Sequence, residues 1–314
     1  MTVCVGVDIG GTKMRAGLVD RAGRIIDIKV ASTPPSPEAV LGGLVELLAE
    51  VLENSESPVE GIGIGAAGLV DVRAGVVRYA PNLSYRDVPI VDVVSRKFGV
   101  ATTLDNDATC AGYAEFRIGS GQGAEDMIMV TLGTGIGGGF IFGGHLYRGS
   151  QGFAAEIGHM VIDPSGPRCG CGQVGCWERL ASGTALGEMA REAAALPGGA
   201  RILAAADGQL ERVRGESVMR AADEGDPVAK NLIEELGRNV GVGLANLANI
   251  LDPERFVVGG GLIRLGEALL APARAELLEK IEGAGYRPEV EVVAAELGDD
   301  AGVIGAALMV SSAL

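Results

Sequence analysis

Three cysteines fall within eight positions, Cys169-x-Cys171-x4-Cys176, and His159 lies ten residues before the first of them. One imidazole and three thiols make a closed tetrahedral set, the ligand type of a structural zinc rather than of a zinc with an open catalytic position. Gly170, Gly172 and Gly175 free the intervening backbone to wrap an ion. Redox-active thiols are the other reading of such a cluster, although Cys-x-Cys is not the thioredoxin-type spacing. A second constellation, Asp105-Asn106-Asp107, follows an apolar run at 100–104 that reads as a strand. Ligand crevices of α/β domains open at strand ends, so either aspartate there could serve as a general base, with a turn or helix cap as the plainer role. Asp8 ends another apolar run, 3–9, immediately before Gly10-Gly11-Thr12-Lys13. An acid in that place could hold Mg²⁺ beside a phosphate, or only stabilise the turn.

Glycine-rich turns recur. GxGxxG occurs at Gly63-Gly65-Gly68 and at Gly133-Gly135-Gly138, but extended sequence follows both, whereas a dinucleotide site needs a helix directly after the glycines. Gly6 to Lys13 misses the P-loop order, ending Gly-Thr-Lys, and again a strand follows. Two hairpins remain, at 10–13 and 133–135, each with a threonine, Thr12 or Thr134, in a matching place. Backbone N–H groups in such turns can form anion-binding concavities without a helix, and Lys13 adds a positive charge to the first.

The elements that must position these residues follow from hydrophobic period. Segments 3–9, 14–19 and 24–30 read as strands, 38–52 as a helix, 61–65 as a buried strand and 92–98 as a helix. The scheme then restarts: strand 127–132, glycine turn, returning strand 140–142, a weak internal echo of the kind a duplicated domain leaves. Asp226-Pro227 is a good start for a helix running to about 250. Strand 255–258 leads through Gly259-Gly260-Gly261 into another helix, and Asp299-Asp300 precede a last helix at 301–310. The length of 314 residues suits two domains, expected as 1–112 plus 299–314, with the last helix folding back, and 113–298 with the cysteine segment.

The net charge of −15 and the absence of any basic run exclude a nucleic-acid surface. A polyanion bound by so acidic a chain must be held locally, by backbone amides, a metal ion and a few cations. No run of eighteen apolar residues suggests a membrane span, and the N-terminal stretch lacks the basic region of a secretory signal, so the cytoplasm is expected. Disulfides are not expected there, and Cys4, inside an apolar strand, reads as a core thiol.

Taken together, DIGGTK at 8–13, TLGTGIGGG at 131–139, VVGGG at 257–261 and EIGHMVIDPSGPRCGCGQVGCWE at 156–178 resemble the ROK family (repressors, open reading frames and sugar kinases) of the actin-like ATPase fold, essentially from end to end. The resemblance implies an α/β fold of two ribonuclease-H-like domains with a ligand cleft between them. It implies transfer of the γ-phosphate of ATP to the 6-hydroxyl of glucose, with Mg²⁺ and a structural Zn²⁺ held by His159, Cys169, Cys171 and Cys176. Two phosphate segments, with Asp8, Gly10, Gly11, Thr12 and Lys13 in the first and Gly133, Thr134 and Gly135 in the second, and a nucleoside segment at Gly259, Gly260 and Gly261 would bind ATP. Asp107 takes the position of the family's base. Asn106, Asn82, Glu156, His159 and Glu178 take those of sugar contacts, with the backbone of Gly68 nearby. Zinc on one ring nitrogen of His159 would leave the other for a sugar hydroxyl. Tyr85 stands where many relatives have Trp, a departure that touches pocket shape. Another hexose (mannose, fructose, N-acetylmannosamine) or polyphosphate as donor fits the same motifs. The family's DNA-binding repressors carry a helix-turn-helix before the first phosphate segment, which here begins at residue 8, so that role is not expected. Relatives are commonly dimers or tetramers, so a homo-oligomer is expected.

Overall fold

The computed structural model describes residues 2–80 and 85–313. Strands β1 (Val3–Ile9), β2 (Lys13–Asp20) and β3 (Ile25–Ser32) form an antiparallel meander. Helix α1 (Pro37–Glu53) starts at Ser36, whose hydroxyl accepts from the Ala39 N–H at 3.2 Å, with Pro37 in the first turn. Strand β4 (Val59–Ala66) returns parallel to β1. A small antiparallel sheet of β5 (Leu69–Asp71), β6 (Val76–Ala80) and β7 (Tyr85–Val88) precedes α2 (Ile90–Phe98) and β8 (Ala101–Asn106), which lies parallel to β4. The sheet order is thus β3-β2-β1-β4-β8. β1 sits at its centre, which is why its sequence is an almost unbroken apolar run rather than an alternating one.

Helix α3 (Asp107–Ile118) begins on the strand-end aspartate. Its buried residues are Ala108, Thr109, Cys110, Ala111, Gly112, Ala114 and Glu115, so no large apolar residue marks the helical period, and hydrophobic pattern alone misses it. Next come β9 (Met127–Leu132), β10 (Ile136–Phe142) and the short β11 (His145–Leu146). Helices α4 (Glu178–Ala181), α5 (Gly183–Ala194), α6 (Ala200–Ala204) and α7 (Gly215–Asp223) are likewise short and rich in small residues, and escape the same pattern. Helix α8 (Pro227–Leu251) starts as expected, with the Asp226 carboxylate accepting from Ala229 N–H at 2.8 Å. β12 (Arg255–Gly259), α9 (Glu267–Lys280), β13 (Glu291–Ala294) and α10 (Ala301–Ala313) complete the chain. The second large sheet has the order β11-β10-β9-β12-β13, repeating that of the first, so the internal echo of the sequence is a repeated sheet.

The chain divides into two compact units, one of Met1–Met129, Gly138–Ala155 and Ala295–Leu314, the other of Val130–Gly137 and Glu156–Ala294. This differs from a boundary near 112, which would cut α3 in the middle of a continuous helix. In the first unit α10 packs directly on the sheet: a Cβ on Gly6 would lie 1.9 Å from the Val303 carbonyl oxygen, and one on Gly63 1.8 Å from that of Ala306. Glycine in the strands is what lets helix backbone and sheet backbone meet. Cys4 is buried beside Val303, Ala307 and Val310 of α10, a core thiol as expected. Among the described residues no helix is long and apolar enough to cross a membrane.

Candidate active site and metal centre

In the first unit the end of β8 and the start of α3 bring Asp105, Asn106 and Asp107 to one point, and their neighbours separate their roles. Asp105 is buried, and its Oδ2 accepts from Nε of Arg148 at 2.7 Å and lies 2.7 Å from that residue's terminal nitrogen. Burial pushes its carboxyl up, and the Arg148 charge opposes that shift. Asn106 caps α3: its Oδ1 accepts from Thr109 N–H at 3.1 Å and its Nδ2 donates to the Gly68 carbonyl at 3.3 Å. Its side chain also hydrogen-bonds the Asp107 carboxyl. Asp107 accepts the N–H of Ala108 at 2.9 Å, and no Lys or Arg pairs with it among the described residues. Burial raises its carboxyl above the usual range, opposed by hydrogen bonds from the Ala108 N–H and the Asn106 side chain, and a raised carboxyl is the better proton acceptor. Asp8 is pushed up to about 7, chiefly by burial and then by the Asp107 charge, with Arg15 pulling the other way. The N-terminal turn of α10 rests on it, since a Cβ on Gly302 would come 2.9 Å from the Asp8 carboxyl carbon.

The first glycine turn closes by Gly10 N–H donating to the Lys13 carbonyl at 3.0 Å, and Thr33 braces it by donating to the Gly10 carbonyl at 2.7 Å. Gly11, Thr12 and Lys13 are exposed, and among the described residues nothing lies within 4 Å of a Cβ on Gly11. That glycine keeps open space rather than permitting a packing contact. Gly68 has φ +106° and a Cβ there would strike the Tyr79 carbonyl, so the hairpin of β5 and β6 demands it. Tyr85 is buried, with its hydroxyl pushed up to about 12. Asn82 lies outside the described residues.

The second turn belongs to the other unit, where Gly133 N–H donates to the Gly135 carbonyl at 3.0 Å. A cleft of ≈ 900 Å³ opens beside it. Gly133 and Thr134 line it together with Gly261, while Gly260, at φ +84°, packs against the Leu132 backbone and Gly259 ends β12. Sequence reasoning missed the rest of the lining, including Thr184, Glu211, Arg214, Glu216 and Arg264. The one available signal was Ser182-Gly183-Thr184, a helix start whose serine accepts from Ala185 N–H at 3.2 Å.

The cysteine segment folds as a tight hairpin, with Ile162 N–H donating to Gly175 O at 2.9 Å and Trp177 N–H to Met160 O at 2.8 Å. Trp177 anchors it: fully buried, its Nε1 donates to Asn239 of α8 at 2.9 Å, in space left by Gly243. The ligand atoms of His159, Cys169, Cys171 and Cys176 all lie within 4.8 Å of one another. His159 Nδ1 is 3.7 Å from Cys169 Sγ, and the Sγ atoms of Cys171 and Cys176 are 3.6 Å apart. A tetrahedral ion with Zn–S bonds of about 2.3 Å needs edges of about 3.8 Å, so the donor set and its size fit. Burial and the adjoining thiols push Cys176 up to about 12, so a cation is what would make this group a thiolate. Cys171, by contrast, is lowered by the Gln173 N–H. With Nδ1 turned to the cluster, Nε2 is the nitrogen left on the exposed His159. Glu156 belongs to the same unit, and Glu178 directs one oxygen at Ile136 N–H, 2.9 Å away.

Two α/β sheets of one repeated strand order, the first ending in paired acids and the second in a glycine turn over a cleft, define the ribonuclease-H-like, actin-like ATPase class of fold. Within it the chain belongs to the ROK family, whose model matches residues 4–313. It is 42% identical to a glucokinase of Streptomyces coelicolor over 98% of this chain and 97% of that one. It is 35% identical to a glucokinase of Thermotoga maritima over 98% and 96%. A crystal structure of a ROK family glucokinase from Streptomyces griseus, in complex with glucose and AMPPNP, is 44% identical and superposes with a TM-score of 0.91 over 99% of both chains.

Proposed function

We propose that this chain is an ATP-dependent glucokinase that transfers the γ-phosphoryl group to the 6-hydroxyl of glucose, with Asp107 as the general base. The observation that carries the reading is the asymmetry of the strand-end acids. Arg148 pairs with Asp105, whereas among the described residues no Lys or Arg pairs with Asp107; burial raises both carboxyls, and Asp107 is the one left unpaired by a cation to accept the attacking hydroxyl's proton. Phosphoryl transfer asks little covalent work of a protein beyond positioning and charge screening, and the remaining groups supply both. The N–H groups of the turns at 10–13 and 133–135, with the Thr12 and Thr134 hydroxyls and Lys13, would hold phosphate oxygens, and the cleft reaching Gly261 suits the nucleoside. Asp8 would hold Mg²⁺, which screens charge on the transferred group. Asn106, Glu156, His159 and Glu178 would bind sugar hydroxyls, alongside Asn82 and the backbone of Gly68. Zinc at His159, Cys169, Cys171 and Cys176 fixes the ring of His159 rather than taking part in the chemistry. A reaction drawing on ATP fits the cytoplasm, and we read the chain as a homo-oligomer, which light scattering tests.

The deciding experiment is a coupled ADP-release assay over glucose, mannose, fructose and N-acetylmannosamine, repeated by product analysis with polyphosphate as donor. Glucose with ATP is expected to give the highest kcat/KM. Equal or better turnover of another hexose, or a preference for polyphosphate, would overturn the assignment.

A further inference from the structure

Glu178 does more in this fold than face a sugar. Its Oε2 accepts the N–H of Ile136 at 2.9 Å, and a Cβ on Gly135 would lie 2.1 Å from that oxygen. The carboxylate is thus pressed on the second glycine turn. The segment after it touches the same turn twice more: Gly183 N–H donates to the Gly133 carbonyl at 2.8 Å, and Thr184 Oγ1 donates to the Thr134 carbonyl at 2.7 Å. Three polar contacts from residues 178–184 therefore grip residues 133–136. Glu178 itself follows directly on the buried Cys176 and Trp177, so the grip starts from a fixed base.

From this geometry we infer that Glu178 is a positioning residue for the nucleotide: it holds the 133–136 turn in its binding shape even when no sugar is bound. An N–H at Ile136 without its acceptor would leave the turn free to relax away from the conformation whose amides meet a phosphate. The inference rests on the reading of this turn as a phosphate site. It separates two demands on one carboxylate. The grip needs a single acceptor oxygen at full side-chain length, whereas a sugar contact on the other oxygen uses charge.

The test is AMPPNP binding to the glucose-free, metal-loaded protein, by calorimetry, for wild type and for Glu178→Gln, Glu178→Asp and Glu178→Ala. Gln keeps an acceptor oxygen at the same reach, and its affinity for AMPPNP is expected within about twofold of wild type, while its KM for glucose rises. Asp keeps the charge but is one methylene shorter, and with Ala it is expected to lose about tenfold in AMPPNP affinity, the worth of one hydrogen bond. The order Gln above Asp is the signature, because a charge requirement gives the reverse. Asp binding AMPPNP as well as wild type, or Gln binding as poorly as Asp, refutes the inference. Should the Ala variant not fold, the Gln–Asp pair decides alone. Wild type that binds AMPPNP but does not phosphorylate glucose would overturn the proposed function and leave this comparison standing.

Discussion

Exchanging each strand-end acid for its amide separates chemistry from stability. Asp107→Asn keeps an acceptor for the Ala108 N–H and removes a carboxylate that burial already disfavours and that has no cation. Its stability should be unchanged or slightly higher, while kcat falls by about 10²–10⁴, the usual worth of a general base. Asp105→Asn leaves Arg148 without its counter-charge. The Asp105 side chain is 8% exposed and that of Arg148 33%. A fully buried pair broken on one side costs about 3–5 kcal/mol and an exposed one about 0–1 kcal/mol, so about 2 kcal/mol is expected here. That lowers the melting temperature by about 4–8 °C in a unit of this size. Differential scanning fluorimetry and the ADP-release assay, run on the same preparations, read the two effects. Asp107→Asn retaining more than about a tenth of wild-type kcat, or Asp105→Asn melting with wild type, would refute the division of roles.

Three further outcomes follow from the same geometry. Asp8 has a folded-state pKa of about 7, above the usual carboxylate range, so the stability it contributes is present below about pH 4 and is lost as pH rises to about 7. Asp8→Asn should therefore melt like wild type near pH 4 and higher at pH 8 when Mg²⁺ is absent, and a difference that stays flat between those pH values would contradict the assignment. Cys171 is exposed, so Cys171→Ala removes a thiol with little packing loss; elemental analysis should show its zinc content fall from about one per chain to near zero, with a raised KM for glucose. Gly11→Ala meets nothing in the protein and should keep its melting temperature while weakening ATP, whereas Gly63→Ala, 1.8 Å from a helix carbonyl, should lose about 3–5 kcal/mol or fail to accumulate. The opposite pattern in melts and ATP titrations would show the two glycines misassigned.

Much of the candidate site was legible in the residues. The candidate zinc ligands sit close together in one short segment, so their spacing and chemistry alone brought them together, and their ligand atoms all lie within 4.8 Å of one another. The repeated strand–turn–strand pattern foreshadowed the repeated sheet order, since strand period and glycine turns are local properties. The choice between Asp105 and Asp107 was not local. It rests on Arg148, 43 positions away, which pairs with Asp105 and not with Asp107. The same holds for Thr184, Glu211 and Arg264 in the cleft beside the second glycine turn, and for Glu178, whose neighbour Ile136 is 42 positions back. Helix α3 hid because small residues build most of its buried face, and small residues carry no hydrophobic period. The sequence by itself determined the ligand types, the turns and the strands. Which acid has a cation, which glycine faces a helix backbone and which faces open space were decided by long-range packing, because charge pairing and burial depend on distance in space rather than along the chain.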